Sequence, residues 1–268
     1  MFPLNYVPVK PFHDFKWRWA SLQCTERLND PVILLGVLFR MRKLERLNRN
    51  LKYSSPEFAQ EMLELSNDVS DSIKVNLGGR VGDRNIIRNS SQYWRAVGLI
   101  PNDRSGRIQL TEFGKKVADR DISQTEFAAI TIQTFRLPNP QIQSEEECNR
   151  WYAAGILLHP LKLILQILCE LTKLDQTQGY ITPEELVRIV IPLSGVKAEI
   201  ADYVGFILRY RAGEITLIGW PNCIEGANDF RIAREYLLFL NNYGYLDKTE
   251  ARRREEEVYH INVNIFAE

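Results

Sequence analysis

The sequence is poor in cysteine, and its cysteines are not grouped in closely spaced pairs. Cys24, Cys148, Cys169 and Cys223 are the only four among 268 residues, and no two of them form a CxxC pair. This spacing fits neither a zinc motif nor a disulfide framework, which favours a reducing, cytoplasmic setting. A signal peptide and an uncharged apolar run of membrane-spanning length are also missing, so we expect no membrane partner.

Sequence motifs of catalysis are missing as well. The chain has no P-loop, no GxSxG and no GxGxxG motif. His13, His159 and His260 lie too far apart to form a local metal motif. The one obvious D/E-x-K tripeptide, Asp14 to Lys16, has no acidic residue before it to share a divalent ion. We therefore predict no catalysis, no metal and no cofactor, while an active site assembled from distant residues stays open.

The formal net charge of zero conceals an uneven distribution. Residues 1–120 hold 20 Lys and Arg against 13 Asp and Glu, a net charge of +7, so the remainder carries −7. The positive charge lies in residues 1–53 and 80–120, on either side of an acidic stretch. Such a distribution is typical of a phosphate-binding surface, although proteins that never bind nucleic acid also show it.

One local pattern occurs twice along the chain. Residues 83–119 read as an amphipathic helix, a short strand at Gly98 to Ile100, a charged turn, and a second strand at Arg107 to Leu110. Residues 228–265 repeat the order, with strands at Tyr245 to Asp247 and at Val258 to Ile265. A helix followed by a hairpin is the layout of a winged helix-turn-helix, in which one helix enters a DNA groove.

Start signals place further helices around these two modules. An Asp or Ser before proline, a capping box, or a proline after a polar residue marks five helix starts: Asp30-Pro31, Ser55-Pro56, Ser123 with Glu126, His159-Pro160, and Thr182 to Glu185. Pro192 and Gly195 are expected to end the helix that begins after Thr182. The fold class predicted is mainly α with small β-hairpins. Its parts are an arm (1–29), a first winged-helix module (30–120), a helical linker (121–155), and a second winged-helix module with an inserted helix (156–268).

The first candidate recognition helix has two distinct faces. A helical wheel places aliphatic and aromatic residues on one side, and Arg, Asn, Gln and Ser without a carboxylate on the other. Arginine pairs with guanine, and Asn or Gln with adenine, in the major groove. We therefore predict DNA contacts from Arg84, Asn85, Arg88, Asn89 and Gln92. An ordinary solvated face is the alternative.

Three other regions are candidates for DNA contact. The turn after the first helix offers Arg104 and Arg107 to phosphates, although a plain surface turn fits equally well. The second helix is predicted to expose Asn228, Asp229, Arg231, Arg234 and Glu235, a surface of mixed sign. The arm supplies Lys10, His13, Lys16 and Arg18, while Trp17 and Trp19 are expected to anchor it on the protein. A disordered tail without a role is the alternative for the arm.

Several motifs, taken in order, resemble the DNA-recognition half of type IIS restriction endonucleases. They are a W-x-x-x-G-L turn from Trp94 to Leu99, LTEFGK at Leu110 to Lys115, F-x-x-P at Phe135 to Pro138, an apolar helix after Pro160, and FxLRYR at Phe206 to Arg211. The resemblance covers roughly residues 83–246. Each motif alone is weakly specific.

The resemblance implies a binder of a short asymmetric site in double-stranded DNA, monomeric on that DNA. It also implies a partner nuclease domain in the full-length enzyme, which this chain lacks. Carried over by position, it assigns recognition to Arg84, Asn85, Arg88, Asn89 and Gln92, and to Asn228, Arg231 and Arg234. Two other functions remain open, a dimeric transcriptional regulator on a palindrome and a protein-interaction module.

Overall fold

The computed structural model describes residues 2–3, 5–22, 29–69, 77, 87–103, 105–221, 227–249, 251 and 256–266, apart from the side chains of 87–89, 227–228 and 265–266. Contacts divide the chain into two compact units. The inserted unit is residues 22–131, and the main unit combines residues 1–21 with residues 132–268. The arm as far as Ser21 therefore belongs to the same unit as the C-terminal half of the chain.

The inserted unit is built from helices. They are α1 (Pro31–Leu47), α2 (Pro56–Val69), α3 (Ile87–Ala96), α4 (Glu112–Ala118) and α5 (Gln124–Thr134), whose last residues belong to the main unit. The α1 helix begins where Asp30 accepts a hydrogen bond from the backbone of Val32 at 3.0 Å. Its apolar stripe, which includes Ile33, Val37 and Met41, is completely buried. Burial of that stripe supplies the main favourable free energy of the unit.

The main unit carries the helices of the second half. They are α6 (Glu145–Ala153), α7 (Pro160–Leu174), α8 (Pro183–Glu185), α9 (Ile191–Ser194), α10 (Ile200–Arg211) and α11 (Ala227–Asn242). A π-helical turn at Leu186–Val190 joins α8 to α9 without a break. The α7 helix is the centre of the core, since Leu161, Ile164 and Leu168 on it are fully buried.

A three-stranded antiparallel sheet completes the main unit. Its strands are β1 (Tyr180–Ile181), β2 (Leu246–Thr249) and β3 (Val258–Ile261), with β3 in the centre. Tyr180 pairs with His260 and Leu246 pairs with Ile261. Thus β1, which follows α7, pairs with the last strand, and the hairpin β2–β3 comes after α11.

An arginine fixes the first strand to the helices around it. The Arg211 guanidinium, at the end of α10, donates to both carboxylate oxygens of Glu185 at 2.6 and 3.1 Å. It also donates to the carbonyls of Gln178 and Tyr180 and lies 3.7 Å from the centroid of the Tyr180 ring. Arg211 therefore serves the scaffold.

Several predicted features are confirmed. The mainly helical class with a small antiparallel sheet is correct, and helices begin at all five predicted starts. The capping box at Ser123 is formed, because its amide donates to Glu126 at 2.8 Å and its hydroxyl accepts from the Glu126 amide at 3.2 Å. The box between Thr182 and Glu185 is formed in the same way. These signals are local in sequence, so sequence alone suffices to read them.

The predicted first hairpin is wrong. Residues 98–100 and 107–110 do not pair with each other as strands; instead, Arg107 bridges to Lys52. Two hydrogen bonds frame this bridge, from Tyr53 N to Gly106 O at 3.0 Å and from Ile108 N to Leu51 O at 2.8 Å. The alternation that suggested a strand reflects burial of Ile108 and Leu110 on either side of exposed Gln109. The partner segment, residues 51–53, is too short to be recognised from sequence.

Two smaller expectations also need correction. Pro192 does not end its helix, because α9 continues to Ser194 after the π turn, although Gly195 follows the helix end as expected. The last strand ends at Ile261, and a 3₁₀ turn occupies Val263–Phe266. Within the predicted helical linker (121–155), Leu137 is fully buried and exchanges two backbone hydrogen bonds with Leu158, at 2.7 and 2.8 Å.

No described helix is both long enough and apolar enough to cross a membrane.

Candidate nucleic-acid interface

The α3 helix has the amphipathic arrangement that its sequence predicts. Tyr93 and Trp94 are 1% and 0% exposed, and Ser90 is buried beside them. Gln92, on the opposite side, is half-buried. Arg95 is also half-buried and donates from Nε to the carbonyl of Ser91 at 3.2 Å, back onto its own helix. The large aromatic side chains thus hold the helix in a fixed orientation.

Several predicted recognition residues fall outside the described residues. Arg84, Asn85 and Arg104 lie outside entirely, and for Arg88, Asn89 and Asn228 only the helical backbone is described. Their side-chain positions remain predictions from the sequence.

The turn after α3 is organised by its own polar side chains. Asp103 accepts hydrogen bonds from the amide of Ser105 at 2.8 Å and from its hydroxyl. Ser105 Oγ accepts from the amide of Arg107 at 3.2 Å. Gly106 has a φ of +71°, a conformation that residues with a Cβ rarely adopt. The turn therefore presents Arg107, which is exposed, on a defined backbone.

The backbone bridge brings two further cations to this turn. Lys52 lies directly opposite Arg107, and Arg49 lies three residues before Lys52 in the chain. All three side chains are exposed, and none forms an ion pair within the part of the chain that the structure describes. We call Arg49, Lys52 and Arg107 the turn cations. Sequence reasoning missed Arg49 and Lys52, and the only available signal was the Leu-Lys-Tyr tripeptide between two predicted helices.

Much of the other positive charge of the inserted unit is neutralised internally. Arg40 and Lys43 on α1 pair with Glu61 on α2, at 3.0 and 2.5 Å. Two more arginines of α1, Arg42 and Arg46, pair with Asp119 at 3.1 and 2.9 Å. The charge count of the sequence therefore overstates the positive charge available to a ligand. The turn cations make up a larger share of the available charge than the sequence suggests.

The arm combines aromatic anchors with exposed cations. Phe15 and Trp19 are buried at 4% and 2% exposure, whereas Lys16 and Arg18 between them are exposed. The Trp19 indole donates to Ser194 Oγ at 3.1 Å, and its ring meets Tyr236 of α11 edge-on at 5.0 Å. This confirms the predicted anchoring by Trp19.

The polar side chains of the arm face away from these anchors. Lys10, His13, Lys16 and Arg18 are exposed and have no ion-pair partner among the described residues. Asp14 is the exception, since it accepts from Arg150 at 2.9 Å. The alternation at residues 15–19 therefore presents two cations on the side opposite the anchoring rings.

The α11 helix departs from its predicted faces. Tyr236 and Leu237 are buried as expected, and Arg231 is exposed. Glu235, predicted to be exposed, is largely buried, with 9% of it exposed. Arg234 donates to both oxygens of Glu257, at 2.5 and 2.8 Å, where Tyr259 also donates at 2.7 Å. A helical wheel assumes one packed face, but strand β2 and Glu257, the residue directly before β3, also contact this helix.

The electrostatics of this pair are those of a buried ion pair. Burial by itself raises the pKa of the Glu257 carboxyl, yet hydrogen bonds from Arg234 and Tyr259 outweigh it and lower that pKa below its usual value. The hydrogen bond to Glu257 raises the pKa of Arg234 in turn. Both groups are therefore charged at neutral pH and connect α11 to the residue directly before β3.

Within the described residues there is no group of three or more His, Cys, Asp or Glu side chains that could hold a metal ion.

Comparison with known proteins finds a match only at the level of structure. No protein-family model matches the chain, and no curated protein matches it. A solved structure of pyrene- and phenanthrene-modified DNA in complex with the BpuJ1 endonuclease binding domain is similar, with a TM-score of 0.60. The similarity covers 95% of this chain and 85% of that chain at 13% sequence identity. The chain therefore shares its fold with that binding domain along nearly its whole length.

Proposed function

We propose that this chain is a sequence-specific recognition module for double-stranded DNA that performs no catalysis itself and belongs to a restriction endonuclease. The observation that carries the proposal is the fold similarity over 95% of the chain to an endonuclease binding domain in complex with DNA. The order of motifs from Trp94 to Arg211 independently resembles the recognition half of type IIS enzymes. In this proposal the nuclease domain is a separate part of the enzyme.

The proposed architecture is a pair of winged-helix modules. A common pairing supports it. In the inserted unit the segment after α1 pairs with the segment after α3, and in the main unit the strand after α7 pairs with the second strand after α11. The pairs are Lys52 with Arg107 in the inserted unit and Tyr180 with His260 in the main unit. In this proposal an ordered turn takes the place of the wing in the inserted unit.

The proposed DNA contacts fall into two classes. Arg88, Asn89 and Gln92 on α3 read base edges, together with Asn228 and Arg231 on α11 and with Arg84 and Asn85, which precede α3 in the sequence. Arg104, the turn cations and the arm residues Lys10, His13, Lys16 and Arg18 bind phosphates and fix the register. Arg234 joins these sets indirectly, because its pairing with Glu257 makes it a positioning residue for α11.

Selection of bound sequences from randomised duplex DNA tests the function. The purified chain is used at near-physiological salt without metal, and an enriched asymmetric site of about five base pairs supports the proposal. An enriched palindrome with a dimeric protein supports a transcriptional regulator instead. Weak, salt-sensitive binding without enrichment contradicts sequence recognition.

A paired variant tests the α3 assignment. Arg88→Ala with Asn89→Ala should weaken binding to the selected site by about 1–3 kcal/mol per lost base contact. Arg136→Ala is the matched control, because Arg136 is exposed and has no ion-pair partner among the described residues. Unchanged duplex binding by a correctly folded double variant would exclude α3 as the reading helix.

A further inference from the structure

A long apolar groove lies on the main unit, between α7 and α10. Its cavity volume is about 810 Å³. Its walls include Leu165 and Cys169 from α7 and Val204 and Leu208 from α10, and the last turn of α5 contributes Ile132 and Gln133. Burial raises the pKa of the Cys169 thiol, which keeps this group neutral and apolar. The groove follows α7 from Lys162 to Leu174, a length of about 18 Å at 1.5 Å per residue. None of its residues is among the proposed DNA contacts.

A glycine in the middle of α10 has no explanation within the described chain. Gly205 lines the groove, and a Cβ added to it would meet nothing within 4 Å. Alanine would fit there, and glycine inside a helix is destabilising relative to alanine. Ala201 lies one turn earlier on the same face, so two small residues leave the backbone of α10 open to close approach. The exposed side chain of Leu174, at 66%, continues the apolar surface at one end.

The charges around the groove indicate the character of an occupant. Lys162 is exposed without an ion pair among the described residues, and the exposed Lys173 pairs only with Glu170 of its own helix. An exposed pair of this kind is weak. The rim is therefore basic on balance, and a carboxylate-bearing partner complements it. A second copy in a symmetric contact would set lysine against lysine, which disfavours self-association.

The geometry points to a docking site for an amphipathic α-helix of a partner protein, with apolar residues on one face and carboxylates beside them. The stretch of α7 that lines the groove matches about three helical turns, and Gly205 is where the partner backbone comes closest. This role goes beyond DNA recognition and does not depend on it.

Binding of a designed peptide tests the site on the full chain. The probe is a fluorescein-labelled helical peptide of about 16 residues, with leucines along one face and glutamates flanking them. We expect saturable binding to the wild-type chain and at least tenfold weaker binding to Gly205→Leu. We expect that variant to keep its fold, because a Cβ at position 205 would meet nothing within 4 Å. Ala153→Leu, at an exposed position on α6, is the matched control and should bind as the wild type does.

Exchanging the charges of the peptide and of the groove rim distinguishes binding in the groove from nonspecific hydrophobic binding. The same peptide with lysine in place of glutamate should bind poorly to the wild type, and Lys162→Glu with Lys173→Glu should restore its binding. Equal binding of both peptides to the wild type, or an unchanged affinity of the peptide for Gly205→Leu, overturns the proposal.

Self-association of the wild type that disappears in Gly205→Leu, measured by sedimentation, would replace the proposal with a contact between copies of this chain. Duplex DNA binding should be the same in Gly205→Leu as in the wild type, so the two roles fail separately.

Discussion

At the scale of single residues, the difficulty lies in telling scaffold arginines from arginines available to a ligand. Arg211 and Arg234 look like surface charges in the sequence, yet each is held by a buried glutamate. Lys16 and Arg107 look no different in the sequence and are exposed. The distinction depends on which glutamate meets which arginine across 23 or 26 residues of chain, and composition carries no such information.

The network of Arg211 predicts strong and specific destabilisation. Arg211→Ala leaves Glu185 buried and unpaired, so the free energy of unfolding should fall by about 3–5 kcal/mol. Arg211→Lys should recover little of it, because an ammonium cannot donate to two carboxylate oxygens and two carbonyls in this planar arrangement. Urea unfolding followed by circular dichroism measures both variants. Arg136→Ala serves as the exposed control, and full rescue by lysine would show that charge alone matters.

The pair of Arg234 and Glu257 predicts a dependence of stability on acid pH. The folded-state pKa of Glu257 is lower than its ordinary value of 4.5, so its stabilisation is present above that value and is lost as pH falls through the folded-state pKa. Glu257→Gln should therefore be less stable than the wild type by about 1–3 kcal/mol at pH 7. The difference should narrow between pH 5 and pH 3, where roughly the ordinary carboxyl titrates.

Urea midpoints of both proteins across this pH range test the linkage. The exposed Glu214→Gln variant controls for removal of one negative charge. A difference that stays constant with pH would mean that the lost stability comes from packing of the side chain and has no link to its ionisation.

At the scale of elements, helix starts could be predicted and strand pairing could not. Asp30-Pro31 and Ser123 with Glu126 act within one turn of chain, so the sequence contains the whole interaction. The bridge between Lys52 and Arg107 joins segments 55 residues apart in the chain. Ile108 and Leu110 alternate as a strand does, but their partner is three residues long. Pairing over such distances depends on the tertiary fold.

Two glycines in helices predict opposite effects of the same substitution. A Cβ on Gly114 of α4 would lie 2.1 Å from the carbonyl oxygen of Leu99, so the turn after α3 and this helix could not keep their contact. Gly114→Ala should therefore destabilise the inserted unit, by about 1–3 kcal/mol as in other overpacked sites. Gly205→Ala meets no atom and should raise the free energy of unfolding by about 0.5–1 kcal/mol.

Thermal unfolding of the two variants side by side decides whether these contacts are correct. Because both changes add one methyl group to a helix, differences in helix propensity cancel in the comparison. Equal shifts for the two variants would contradict the close approach at Leu99.

At the scale of the whole molecule, the net charge does not indicate where phosphates could bind, whereas the distribution of exposed cations does. The sequence has 34 basic and 34 acidic residues, yet exposed cations without described ion pairs occur in both units. The turn cations belong to the inserted unit, and Lys16 and Arg18 of the arm belong to the main unit. The excess of basic residues in the first 120 positions predicted this only coarsely, because ion pairs such as that of Arg42 with Asp119 neutralise part of it.

If both units bind phosphates of one duplex, the salt dependence of binding should report each contribution. Each neutralised phosphate adds about 0.9 to the magnitude of the slope of log Kobs against log salt. Lys52→Ala with Arg107→Ala should lower that magnitude by about 1–2, and Lys16→Ala with Arg18→Ala should do the same. The variant with all four substitutions should show the sum of both decreases in slope, since the two pairs lie in different units and share no partner.

Fluorescence anisotropy on the selected duplex between 50 and 200 mM salt measures the slopes, with Lys162→Ala in the apolar groove as the control. A slope that changes for only one pair would restrict phosphate binding to that unit, and equal loss in the control would reduce the effect to net charge.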